Sequence, residues 1–198
     1  MQKTSDMDVW QVDPVKWPNA QSLVDTCGEF FAEIEDLTPG KDLEEFLNKT
    51  HGAGTKHYEA ISRLMRIGLE EGWAASTEVG GPHYRRSKII LPSPQTRFFS
   101  LTSVWMDSQE LFSGEYHKHV YGEINCIIPF NETAQMKGMQ GWMGHGWTSP
   151  GAGTHHYPQV GSNHYSKILV INPIPGAWRW CLSPILPSRG QNKLQSFA

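Results

Sequence analysis

Hydrophobic positions divide the chain into two parts with different periods. In the first part Leu23, Cys27, Phe30, Phe31, Ile34 and Leu37 recur at steps of three and four, so they share one face of a helix. Thr38-Pro39-Gly40 stops that helix. Leu43, Phe46 and Leu47 predict a shorter second helix that ends near His51-Gly52. Thr55 is placed to N-cap a third, with Tyr58, Ile61, Leu64, Met65 and Leu69 on its apolar face and Gly72 at its end. After about residue 80 the period changes. Residues 87–91, 98–106, 115–119, 123–129, 167–172 and 178–182 are short runs rich in β-branched or aromatic side chains, bounded by Pro, Gly or Asn. Several short strands at such spacing predict a sandwich or small barrel. The expected organisation is a helical N-terminal extension over residues 1–80, packed on a β-barrel domain over residues 81–198.

Composition narrows the class. A chain of 198 residues can bury a core without staples. Its charged share of 19% is below the usual quarter, while 8 Trp and 9 His are unusual. The formal net charge of −3 and the scattered basic residues leave no footprint for nucleic acid or an anionic membrane. The start of the chain lacks the apolar stretch of a signal peptide, and no window approaches membrane-spanning length. Three separated cysteines, Cys27, Cys126 and Cys181, fit neither a disulfide framework nor a zinc ribbon. A reducing, cytoplasmic setting is expected.

The histidines carry the chemistry. Six of the nine lie between residues 117 and 164. His117 and His119 project together if they lie on a strand, because side chains alternate faces. Glu123 follows Val120-Tyr121-Gly122, a segment able to turn into the next antiparallel strand and bring the carboxylate to the same point. Two imidazoles and a carboxylate on one side form a facial site for a divalent metal. A further ligand is available from His155-His156 after the glycines at 151 and 153, although only one ring of an adjacent pair on a strand can reach the metal. Any single histidine on a strand is more often a hydrogen-bonded partner than a ligand. It is the combination that points to a metal. His51 and His57 read as surface or capping groups, and His83 as a solvated turn residue. His145 and His164 are candidates for proton transfer. So is Tyr121, which shares strand parity with His119. The aromatic cluster around these segments, including Trp142, Trp147 and Trp178, reads mostly as core.

This spacing resembles the first cupin motif, a His-x-His followed after three or four residues by Glu, at His117, His119 and Glu123. The second motif is matched at Gly153 and His156, but Gly151 stands in place of its proline. Leu111 and His145 occupy the positions of the flanking glycines, and Val160 that of a frequent asparagine. The resemblance implies a mainly β fold with a helical N-terminal region, a cupin-like small β-barrel (double-stranded β-helix). It also implies a metal held by His117, His119, Glu123 and His156. The ligand mix suits Fe, Mn, Ni, Co or Zn. A homo-oligomer is compatible with such a fold.

No GxSxG, Walker A or HExxH motif is present, and Gly80-Gly81-Pro82 opens no helix, so neither a nicotinamide nor a flavin is expected. Over its whole length the chain resembles the bacterial 4-hydroxylaminobenzoate lyases of nitroaromatic degradation. The strongest stretches are residues 116–125 and 150–180. The resemblance implies conversion of 4-hydroxylaminobenzoate and water into 3,4-dihydroxybenzoate (protocatechuate) and ammonia. The N–O bond is reduced as the ring is oxidised, so no external electron carrier is needed. For a small aromatic acid, Arg97 and Arg179 are candidate carboxylate partners and Trp178 a candidate ring contact. Two other readings stay open here: a cupin dioxygenase or isomerase acting on a different small molecule, and a non-catalytic cupin that binds a ligand or metal.

Overall fold

The computed structural model describes residues 9–108, 111–114, 116–161 and 166–175. Among them three helices come first: α1 (Pro18–Ile34), α2 (Lys41–Thr50) and α3 (Lys56–Glu71). Each buries the apolar stripe that its spacing predicts, with two exceptions. Leu37 lies beyond the end of α1, in a turn closed by its N–H on the Ile34 carbonyl, and is exposed. Phe46 on α2 is also exposed, because Leu43 and Leu47 fill the contact with the core. Thr55 occupies the N-cap position of α3 but makes no side-chain cap, and its hydroxyl is buried without a partner. Gly72 ends α3 in the left-handed region at φ 84°, where glycine carries no Cβ penalty.

The strands are β1 (Thr77–Glu78), β2 (Tyr84–Ile90), β3 (Phe99–Ser108), β4 (Phe112–Ser113), β5 (His117–Lys118), β6 (Asn125–Pro129), β7 (Gln135–Gly138), β8 (Gly141–Met143), β9 (Gly146–Thr148), β10 (His155–His156), β11 (Gln159–Gly161) and β12 (Ser166–Pro175). They form a six-stranded sheet in the order β1-β2-β3-β12-β6-β9, a four-stranded sheet β4-β11-β7-β8 and a two-stranded ribbon β10-β5. All the pairings are antiparallel. The expected mainly β architecture with a helical N-terminal region is therefore present. The hydrogen-bonded ladder of the described residues is open, with the sheets facing each other rather than closing into one ring. The candidate strand at 178–182 lies outside the described residues.

Strand alternation sends the two faces of the large sheet into two cores. Phe99, Leu101 and Trp105 of β3, with Cys126 and Ile128 of β6, pack on the helices in one cluster. Met106 of β3, Ile127 of β6 and Ile168 and Val170 of β12 pack instead on Met136 and Val160 of the small sheet. A bulge between Lys88 and Ile90 lets consecutive Ile89 and Ile90 both enter the helical core.

The helices also close the β9 edge of the large sheet. The Asn48 amide on α2 donates to the Trp147 carbonyl at 2.7 Å and accepts from the Trp147 N–H at 2.9 Å, which satisfies edge groups that would otherwise face outward. Trp147 itself is fully buried, stacks on Phe30 at 4.7 Å and donates its indole N–H to the His51 carbonyl at 2.6 Å. A Cβ on Gly146 would lie 2.4 Å from the Asn48 oxygen, so this clamp requires glycine.

Candidate metal centre

The ribbon β5-β10 brings the histidines together. His117 and His156 are direct cross-strand partners, and His155 is paired with Lys118. His156 and His117 therefore share one face, while His155 turns outward onto the Tyr116 ring at 5.6 Å. His119 follows two residues after His117 and keeps the register through two backbone bonds: its N–H donates to the Thr154 carbonyl at 2.9 Å, and its carbonyl accepts from Gly153 at 2.7 Å. Gly153 adopts φ 80° in the turn that makes this possible. The three rings lie with centroids 4.9 Å apart in every pair. One ligand nitrogen from each falls within 4.8 Å of the other two.

Glu123 arrives from the other side. It precedes β6 rather than lying on it, and its N–H donates to the Pro150 carbonyl at 2.9 Å. Its carboxylate is buried and stands 3.6 Å from His119 Nε2. The helical region fixes this loop. Gly122, at φ 80°, passes so close to Pro39 that a Cβ there would be 2.5 Å away. The buried Glu44 carboxylate on α2 accepts the Ser149 N–H at 2.8 Å, and the Ser149 hydroxyl donates to the Glu123 carbonyl at 3.2 Å. Burial raises the Glu44 carboxyl above its ordinary range.

The electrostatics favour neutral imidazoles. Burial first, then the neighbouring His117 and His156 rings, hold the His119 imidazole down at about 4. Burial and then His117 hold His156 at about 4. Neutral rings keep the lone pairs that metals need. Their tautomer follows from the hydrogen bonds for His119. Thr154 Oγ1 gives its proton to the Gly151 carbonyl at 2.6 Å, so at 2.8 Å it accepts from His119 Nδ1–H. His119 Nε2 is left with a lone pair, buried and with no hydrogen-bond partner. A buried orphan acceptor aimed into two other imidazoles and a carboxylate fits a divalent cation.

The cluster opens on a cavity of about 280 Å³ between the sheets. Tyr84, Val104, Met106 and Val170 form its floor on the large sheet, and Met136 and Pro158 stand opposite. His117, His156, Glu123 and Asn125 line one side. Arg86 and Lys118 supply cations. Neither Arg86 nor Thr154 was read from the sequence as a site residue. The signal for Arg86 was available in strand alternation, since it shares a face with Tyr84. The predicted strand began one residue too late to include it.

The other expected site residues fall elsewhere. Tyr121 does not share strand parity with His119, because the chain leaves β5 and bends before Gly122; Tyr121 is exposed and off the cavity lining. His145 lies in the bend between β8 and β9 and pairs through Nδ1 with the Tyr58 hydroxyl at 3.2 Å. Arg97 caps the short 3-10 helix Pro94–Thr96 in the left-handed region and forms an ion pair with Glu35 at 3.5 Å, away from the cavity lining. His164, Trp178 and Arg179 lie outside the described residues. His51, expected at the surface or as a cap, is the C-cap of α2 with its N–H on the Leu47 carbonyl, and it is buried; His57, expected likewise, is buried on α3, and both stand beside Glu33.

A β-rich domain with a partly buried three-histidine, one-carboxylate cluster at the edge of a small cavity defines a class of candidate metal centres for small molecules. Comparison with known proteins narrows it. The profile of the PnbB family, described as 4-hydroxylaminobenzoate lyase, matches residues 25–174. The 4-hydroxylaminobenzoate lyase of Nocardioides sp. (strain LMS-CY) is 46% identical over 140 residues, 71% of this chain and 83% of that protein. That of Pseudomonas putida is 44% identical over 146 residues, 70% of this chain and 83% of that protein. This chain belongs to the 4-hydroxylaminobenzoate lyase family. Among solved structures, the DMSP lyase DddQ from Ruegeria pomeroyi aligns with 79% of this chain and 92% of its own at 15% identity, with a TM-score of 0.38. A cupin domain from Bordetella pertussis aligns with 48% and 98% at 11% identity and a TM-score of 0.30.

Proposed function

We propose that this protein converts 4-hydroxylaminobenzoate and water into 3,4-dihydroxybenzoate and ammonia. The observation that carries the reading is the 44–46% identity to proteins named for that lyase activity, across 83% of their length. The cavity supports it: a floor of Val104, Met106 and Val170 suits an aromatic ring, and its volume of about 280 Å³ suits a small acid. We further propose that the reaction runs in a reducing compartment, a reading supported by Cys27 and Cys126 being free thiols in the core.

His117, His119, Glu123 and His156 would hold a divalent ion. When bound, such an ion supplies Lewis acidity toward an oxygen leaving nitrogen and makes a nearby water more acidic. The remaining work belongs to side chains. Thr154 holds His119 in the Nδ1–H tautomer. His119 and His156 stay neutral at neutral pH, so no proton competes for their lone pairs. Glu123 is the carboxylate of the described lining and would give the oxygen donor of the set, standing 3.6 Å from His119 Nε2. Tyr116, Met136 and Pro158 wall the cavity and limit water around the ring. Hydroxide leaves nitrogen with the N–O bonding pair, and one water adds its oxygen to the ring carbon beside the nitrogen and gives up a proton. A second water hydrolyses the resulting imine and releases ammonia. A proton shift from that ring carbon to the new carbonyl oxygen restores the aromatic diol, for a net uptake of one water.

The test is incubation of the purified protein with 4-hydroxylaminobenzoate without oxygen, following ammonia and catechol formation before and after chelation. The reading expects equal amounts of both products and their loss on chelation. Absence of ammonia sinks the lyase assignment. Ammonia that survives complete metal removal sinks the metal role and leaves the lyase.

A further inference from the structure

The cavity is polar at both ends and apolar between them, with Arg86 at one end and the histidine cluster, Glu123 and Lys118 at the other. Strand register fixes how far apart they are. Arg86 on β2 is paired with Val104 on β3, Val104 with Val170 on β12, and Val170 with Ile127 on β6. One row across the sheet therefore runs from a guanidinium, over two valines, to the strand that starts at Asn125 beside the histidine cluster. That row spans three strand spacings, about 14 Å between backbones. With an arginine reaching in from one end and imidazoles from the other, the gap suits one benzene ring with para substituents.

Arg85 and Arg86 show how alternation assigns their tasks. Arg85 points to the helical side, with its guanidinium 5.8 Å from the centre of the Trp105 ring. Arg86 points to the cavity. The Arg86 guanidinium has no ion-pair or hydrogen-bond partner among the described residues, whereas Arg97 is held by Glu35. Lys118 is the other cation of the lining, but it is next to His117 and on the opposite strand face, so it sits at the histidine end.

We infer that Arg86 binds the carboxylate of the aromatic acid and so sets which end of the substrate meets the histidine cluster. The inference rests on the lyase reading for the identity of the acid. A guanidinium binds a carboxylate through two parallel hydrogen bonds, which fixes the direction of the ring as well as its position. The hydroxylamino nitrogen, para to the carboxylate, then falls at His117, His156 and Glu123. An acid lacking the para arrangement would place its reactive group off the cluster.

The test separates binding from turnover. The as-purified protein is titrated with 4-aminobenzoate, an inert analogue, and with neutral 4-aminobenzamide. Arg86→Gln is expected to weaken 4-aminobenzoate about 10- to 100-fold while leaving 4-aminobenzamide within about threefold. Arg86→Lys is expected to recover part of the loss, and Lys118→Gln to change either ligand by less than about threefold. In turnover, Arg86→Gln raises KM for 4-hydroxylaminobenzoate by a similar factor, with kcat within a few-fold. Wild-type affinity in Arg86→Gln, or equal loss of both ligands, overturns the inference. So does a Lys118→Gln variant that alone loses the acid. If 4-aminobenzoate binding depends on Arg86 but no ammonia forms from 4-hydroxylaminobenzoate, the reaction assignment fails and the carboxylate site stands.

Discussion

Glu33, His51 and His57 on the helical side offer nearly the same donors as His117, His119, His156 and Glu123 on the β side. In each cluster the nitrogen or oxygen donors of three residues lie within 4.8 Å of one another. The surroundings separate them. On the helical side the Glu33 carboxylate is half-exposed and stands 3.8 Å from His51 and 3.7 Å from His57. Both imidazoles pack against the Phe30 ring, and His51 also meets Phe46. These rings complete the core around Trp147. On the β side His119 is tied at Nδ1, orphaned at Nε2 and joined by two lining histidines to a cavity. Donor type and spacing are shared. The difference lies in a lone pair with nowhere to go and open space in front of it.

The strongest way to break the comparison is to count metal. The metal-free protein is expected to take up one tight equivalent of Co²⁺, with a spectrum of nitrogen coordination. His156→Ala should lose it and His57→Ala should keep it. Loss in His57→Ala, with retention in His156→Ala, reverses the assignment of the two clusters. A milder change should act through orientation alone. Thr154→Val removes the acceptor for His119 Nδ1–H and is expected to weaken the metal about 10- to 100-fold with the fold intact, read by chelator competition.

Protonation distinguishes the clusters by degree, since burial also lowers the His51 imidazole while Glu33 opposes it. His119 and His156 are held near 4 in the fold against an ordinary 6.5. The unfolded chain therefore binds more protons between those values. The stability that depends on neutral rings is fully present above about 6.5 and is lost as pH falls toward about 4. The metal-free protein should show a falling melting temperature across that window, and His156→Ala a shallower fall. A melting temperature flat from 6.5 to 4 would contradict the burial of these rings as neutral groups. The smallest effect is expected at Glu33→Gln, because a half-exposed carboxylate beside imidazoles that are charged only when protonated contributes at most about 0–1 kcal/mol. Chemical denaturation should detect a small shift, and ammonia release should be unchanged.

The grouping of His117, His119 and His156 was legible because it follows from alternation along strands and from one cross-strand pair. Glycines at 122 and 153 mark the turns that close it. What was not legible depends on neighbours distant in sequence. Thr154 matters because its hydroxyl donates to the Gly151 carbonyl and accepts from His119, which spacing does not reveal. Arg86 was lost by a strand boundary one residue late. Tyr121 was misplaced because parity holds only while the chain stays extended. Leu37 and Phe46 followed the helical period but stay exposed, Leu37 beyond the end of α1 and Phe46 at the rim of the core beside His51, and His51 and His57 were covered by α1, whose docking no local pattern records. The helical segments themselves were clear, since their period and stop signals are local.

One nitrogen, His119 Nε2, joins the metal cluster to the reaction. The direct measurement is anaerobic ammonia release from 4-hydroxylaminobenzoate by the wild type and by His119→Ala, each supplied with the same divalent ions and checked for folding. The account predicts stoichiometric ammonia from the wild type and at least about a thousandfold lower rate from the folded variant. Wild-type rates in His119→Ala would contradict it.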